Sequence, residues 1–210
     1  MNNQITLNKE LLAYCSSIEI ESGLRYEKAC ELISQGANPN GYSFPSNDWT
    51  AIHFAAKWGH EELFALLFSH GASLCGTVLH AAAVSKKVNK TIMNILIKNQ
   101  IPVDSADEEG STPLHWACGT NYSSTPKNVK FLLRHGASPA QTNEEGKTPI
   151  DVAVEYGNDK LAEWIKSYDP DTKSFTKSFS KSADMLHEDA SQKFDASEED
   201  LPPEIFVLDP

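Results

Sequence analysis

Seven histidines stand along this chain of 210 residues, and three recur in one frame: His53 in TAIHFAA, His80 in TVLHAAA and His115 in TPLHWAC. Imidazoles at regular spacing suit metal ligation, acid–base catalysis or structural hydrogen bonding. Zinc holds its ligands about 2 Å away, whereas equivalent positions of stacked helix pairs lie roughly 10 Å apart, so these three cannot share an ion. His60-Glu61-Glu62 lacks a histidine four residues further on, and no G-x-S-x-G, P-loop or G-x-G-x-x-G is present. No catalytic, metal-binding or cofactor-binding residue is assigned, and the chain is read as not an enzyme. Cys15, Cys30, Cys75 and Cys118 form no C-x-x-C pair, and are expected to be buried thiols in a reducing, cytoplasmic setting.

The elements that carry the histidines repeat. TAIHFAAKWGH (50–60), TVLHAAAVSKK (77–87), TPLHWACGTNY (112–122) and TPIDVAVEYGN (148–158) align on Thr50, Thr77, Thr112 and Thr148, at intervals of 27, 35 and 36. Each is followed by a second stretch with apolar residues at helical spacing, as in Val129, Leu132 and Leu133, two of them ending on Gly71 or Gly136. Thr112-Pro113 and Thr148-Pro149 read as an N-cap followed by a proline in the first turn, where its missing N–H costs nothing. DEEGS (107–111) and NEEGK (143–147) carry the glycine of a tight turn. The units are therefore pairs of short helices joined by turns.

Thr-Pro-Leu-His-x-Ala at 112–117, with Leu-Leu-x-His-Gly-Ala at 132–137, resembles the ankyrin repeat. The resemblance implies an all-α solenoid of about five helix pairs with short β-hairpin fingers, binding protein partners on its concave face. Repeats are placed at about 5–40, 48–73, 76–101, 111–138 and 147–168. The first lacks Thr-x-x-His and reads as a cap, while Trp164, Ile165 and Tyr168 of the fifth are expected to close the core. The common histidine is implied to be structural. Gly71 to Thr77 spans 6 positions where Gly136 to Thr148 spans 12, so a finger should be missing between the second and third repeats, opening a notch beside Trp58.

The same resemblance places the residue before each threonine, and those seven and eight after it, at finger bases and on the concave face. Candidate contacts there are Trp49, Lys57, Trp58, Ser111, Thr120, Lys147, Glu155 and Tyr156. Trp116 joins them, although Trp58 and Trp116 suit an inter-repeat seam equally well. The long first finger adds Tyr42 and Phe44, and the expanded loops at 85–90 and 119–128 add Tyr122, with Lys86, Lys87 and Lys90 as a second tier.

Charge restricts the partners further. The formal net charge is −11, and residues 169–210 hold 11 acidic against 4 basic side chains. No basic footprint for nucleic acid exists, nor an apolar run long enough to span a membrane, and the chain is expected to be a monomer. Residues 169–210 are expected to be a disordered acidic tail. Within it Leu201-Pro202-Pro203-Glu204-Ile205 resembles the start of an F-box, which would suggest a ubiquitin-ligase adaptor. A Glu-rich block before Val207 and Leu208 resembles a bacterial type IV secretion signal, which would suggest an effector translocated into a host cell.

Overall fold

The computed structural model describes residues 2–17, 21–44, 48–120 and 125–176. Ten helices follow one another there as five pairs: α1 (Asn2–Ser16) with α2 (Ser22–Ser34), α3 (Ala51–Trp58) with α4 (Glu61–Ser69), α5 (Gly76–Ala83) with α6 (Lys90–Lys98), α7 (Pro113–Cys118) with α8 (Thr125–Arg134), and α9 (Pro149–Glu155) with α10 (Asp159–Lys166). The first helices pack in a row, α1 on α3, α3 on α5, α5 on α7 and α7 on α9, and α2, α4 and α6 form a second row. Leu67, Leu96 and Leu132, at equivalent places in the second helices, are completely buried. Each contributes about 1.5–3 kcal/mol by leaving water.

Thr50, Thr112 and Thr148 are the N-caps of α3, α7 and α9. In the first two, the histidine three residues later completes the cap, its Nδ1 accepting from the threonine N–H at 3.1 Å. That fixes the tautomer, so Nε2–H faces the next repeat: His115 donates to the Lys147 carbonyl at 3.0 Å, and His53 lies 3.0 Å from the Thr77 hydroxyl. In the fifth repeat Asp151 makes the same cap, accepting from Thr148 N–H at 2.9 Å. The other ends of α3, α5 and α7 are tied by asparagine amides. Asn89 donates to the Ala56 carbonyl, Asn128 to those of Ala83 and Ser85, and Asn158 to those of Cys118 and Thr120. At the first seam Arg25 does this, donating to the carbonyls of Tyr14 (3.1 Å) and Ser17 (2.5 Å) and to His60 Nε2.

The second helices of the first four pairs end in one motif, a left-handed residue followed by an amide that reaches back five residues, as in Ala72 N–H to Leu67 C=O and Ala137 N–H to Leu132 C=O. Gly71 and Gly136 take the left-handed position with φ of 83° and 95°, whereas the third repeat puts Gln100 there at 65°. The third and fourth fingers are tight turns closed by two backbone hydrogen bonds each, Asp107 N–H to Ser111 C=O with Gly110 N–H to Asp107 C=O, and Asn143 N–H to Lys147 C=O with Gly146 N–H to Asn143 C=O. They carry no strand ladder, because Asp107 and Asn143 side chains take the amides that a ladder would use. Glu144 N–H donates to the Glu109 carbonyl, joining the two fingers.

No finger forms over 72–75, where the chain runs directly into α5. The gap is not an open notch beside Trp58, as the sequence suggests. The rings of Trp49 and Trp116, from the second and fourth repeats, stack at 6.1 Å across the third, whose residues in the same two columns are the small Gly76 and Ala81. Gly76 is also required by a close approach: a Cβ there would lie 2.8 Å from Ser105 Cβ.

The described structure continues beyond residue 168. A hairpin, β1 (Tyr168–Asp169) and β2 (Ser174–Phe175), pairs Tyr168 with Phe175, and it is the sole strand pair among the described residues. Phe175 stacks on Trp164 at 4.0 Å, while Tyr168 donates to the Leu133 carbonyl. The expected aromatic closure is thus extended by Phe175. Residues 177–210, including the F-box-like and secretion-signal-like segments, lie outside the described residues.

Two predictions follow from these ends and caps. Gln100→Gly removes a left-handed non-glycine residue and should stabilise the fold by about 1 kcal/mol, read as a higher urea midpoint at unchanged m-value. Burial and the nearby His80 hold His53 down at about 4, against an ordinary 6.5. As pH falls below 6.5 the unfolded chain gains a proton that the folded one refuses until about 4, so stability is lost across that window. His53 alone should cost on the order of 2 kcal/mol by pH 5. Urea midpoints at pH 7 and pH 5 should show a smaller pH dependence in His53→Gln than in wild type.

Candidate functional site

The finger bases and first-helix ends bring four aromatic rings into one row. Phe44, 43% exposed on the first finger, meets Phe54 edge-on at 6.0 Å, Phe54 meets Trp49 at 5.4 Å, and Trp49 stacks on Trp116. Trp116 is held by its own finger, its indole N–H donating to Asp107 Oδ2 at 2.7 Å, and its edge meets His80 at 5.4 Å. His80 itself is fully buried, with Nε2 2.7 Å from the Ser111 carbonyl and Nδ1 2.9 Å from the Gly76 carbonyl. A neutral imidazole has one donor for those two acceptors. This departure from the other histidines arises because α5 starts at Gly76, which places Thr77 inside the helix instead of at its cap.

Lys57 and Trp58 close the row at the end of α3. The Lys57 ammonium lies 5.1 Å from the centre of the Trp49 ring and 5.2 Å from that of Trp58. Burial, then Lys86, lower its pKa from the usual lysine value. The Trp58 indole N–H is buried and without a hydrogen-bond partner.

The other candidates separate into three groups. Tyr42 is half-buried beneath the Lys9 ammonium, 5.1 Å from its ring centre. At the far end Lys147 bridges Glu145 (2.7 Å) and Glu155 (2.8 Å), whose hydrogen bonds raise its pKa, and Tyr156 is 59% exposed beside exposed Val154. Two candidates are corrected by burial. Trp49, 4% exposed, and Ser111, 7% exposed, act from beneath the surface: Trp49 props the row, and Ser111 gives its carbonyl to His80 and its N–H to Asp107. Thr120 is committed to Ala117 C=O and Thr125. Tyr122 lies outside the described residues. Phe54, the ring joining first finger to Trp49, was not singled out by sequence, where its column reads Phe, Ala, Trp, Val with no common chemistry.

Among the described residues no three His, Cys, Asp or Glu side chains are grouped to hold a metal ion, and no helix is long and apolar enough to cross a membrane. Burial pushes the Cys15 and Cys118 thiols up to about 12. Cys75 departs from the expected burial: the missing finger leaves it exposed, with Sγ 3.1 Å from Thr77 Oγ1 and 3.4 Å from His53 Nε2.

Comparison with known proteins agrees with this architecture. A family model described as ankyrin repeats (3 copies) matches residues 12–101 and again 79–175. Similar proteins include Ankyrin repeat and SOCS box protein 11 of Danio rerio, 33% identical over 107 residues, or 48% of this chain and 34% of that protein. Ankyrin repeat and SOCS box protein 16 of Mus musculus is 32% identical over 118 residues, 50% of this chain and 25% of that protein. Inversin of Homo sapiens is 32% identical over 140 residues, 63% of this chain and 12% of that protein. The match thus spans about a third or less of each relative's length. The chain belongs to the ankyrin-repeat family, and its repeats form a protein–protein interaction module.

Proposed function

We propose that the chain is a noncatalytic adaptor that takes a protein partner on its concave face and fingers. The row from Phe44 through Phe54 and Trp49 to Trp116 carries this reading. Its rings are fixed by packing and by the Asp107 hydrogen bond, so a partner meets a surface that loses little freedom on binding. Large aromatics in such positions dominate binding energy elsewhere. Lys57, Trp58 and Tyr156 extend the surface along the repeats.

Two finer alternatives concern what the adaptor joins. The SOCS-box names of two relatives favour an adaptor carrying a second recruiting segment, for which Leu201–Ile205 is the candidate here. The Glu-rich block before Val207 and Leu208 supports delivery into a host cell, with the same repeats binding there.

A triple variant, Phe44→Ala/Trp58→Ala/Tyr156→Ala, spares the buried prop Trp49 and tests the surface. Affinity capture beside wild type should lose the partner by at least about tenfold while the thermal midpoint changes little. Retention of every partner by the folded variant would sink the concave-face assignment.

A further inference from the structure

Within a chain of net charge −11, cations collect around the end of α3. Lys86 is close enough to lower the Lys57 pKa, Lys87 and Arg25 act likewise on His60, and the Lys87 side chain lies against Gly59. Lys57 differs from the lysines that form ion pairs. Lys28, Lys147 and Lys166 reach Glu31, Glu145 with Glu155, and Glu163 at 2.5–2.9 Å, whereas half-buried Lys57 has no carboxylate partner among the described residues and rests between two indoles.

We propose that the end of α3 is a carboxylate-binding subsite, in which Lys57, framed by Trp49 and Trp58 and backed by Lys86, receives an Asp or Glu of an acidic peptide segment in the protein partner. The inference rests on the concave-face reading above and names the partner's chemistry. A half-buried ammonium without an anion has lost part of its hydration for no Coulombic return. The indole faces offset part of that, and a carboxylate restores the remainder. The Trp49 and Trp58 rings, 5.1 and 5.2 Å from the ammonium, shield such an ion pair from water and so strengthen it. Apolar atoms of the same peptide then lie on Phe54 and Trp116, both partly exposed. A basic peptide would meet Lys57, Lys86 and Lys87 with like charge.

The test is a random peptide display library selected on the immobilised full chain, with affinities of the selected peptides measured by titration. Selected sequences should be enriched in Asp and Glu next to apolar residues, and Asn or Gln in place of the acid should weaken binding about tenfold. Lys57→Gln and Lys57→Met, the second keeping the apolar stem over Trp49, should show the same loss with unchanged urea midpoints. Lys57→Arg should retain binding, and so should Lys98→Gln at the end of α6 in the second row of helices. Peptides that depend on Trp116 but are neutral or basic, or are indifferent to Lys57→Gln, would overturn this subsite while leaving the concave-face reading intact. An empty selection, or peptides indifferent to Lys57, Trp58 and Trp116 alike, would overturn both.

Discussion

The structure depends on a polar seam repeated between neighbouring helix pairs. Helices α3, α5, α7 and α9 have only 8, 8, 6 and 7 residues, too short to persist alone in water. Each is held by burial against its neighbours, and α3, α5 and α7 are also pinned at both ends, by the histidine row at the start and the amide row at the finish. Most of these rungs end on backbone carbonyls, such as those of Ser111, Lys147, Ala56, Ala83 and Cys118. A buried carbonyl left without a donor costs about 1–3 kcal/mol, so the rungs fix the phase of one repeat on the next more sharply than apolar packing does. The terminal repeats show the rule from the other side: Asp151 keeps the cap without the rung, and Arg25 with His60 replaces the asparagine at the first seam.

One irregularity organises the surface. The short link between the second and third repeats pulls the start of α5 back to Gly76, so Thr77 loses its capping role and becomes an acceptor for His53. With no finger there, and with Gly76 and Ala81 in the facing columns, nothing large separates the second repeat from the fourth. Trp49 and Trp116 meet in that space. A short link has thus given place to an aromatic bridge, and its burial makes Trp49 the support of the contact residues.

Much of this fold was legible because its signals are periodic. Thr50, Thr112 and Thr148 with the residues after them give the helix starts, Gly71 and Gly136 two of the ends, and the 27-residue interval gives the missing finger. What escaped sequence reading depends on contacts between repeats. Asn128 reaches the Ala83 carbonyl from one turn inside α8, whereas Asn89 and Asn158 precede their helices, so the three share no alignment column. Trp49 touches Trp116 at a separation no local pattern encodes. Phe175 sits in a Ser-, Lys- and Thr-rich stretch whose composition argues for disorder, yet its stacking on Trp164 supplies the apolar contact that composition hides. The candidate site was legible as a list of aromatic and basic positions and illegible as an arrangement.

Because the rungs end largely on backbone, the side chains of the concave columns are released from holding the repeats together. Their chemistry differs from one end of the row to the other: Lys57 stands seven residues after Thr50, and Glu155 seven after Thr148. The third and fourth fingers end in Glu108, Glu109, Glu144 and Glu145, all exposed, while Lys86, Lys87 and Lys90 are exposed beside the third repeat. Unlike charges thus stand along the repeats, cationic at the second and third and, apart from Glu145 and Glu155 which Lys147 holds, acidic on the third and fourth fingers. Charges arranged in this way set partner choice and orientation more sharply than apolar area does.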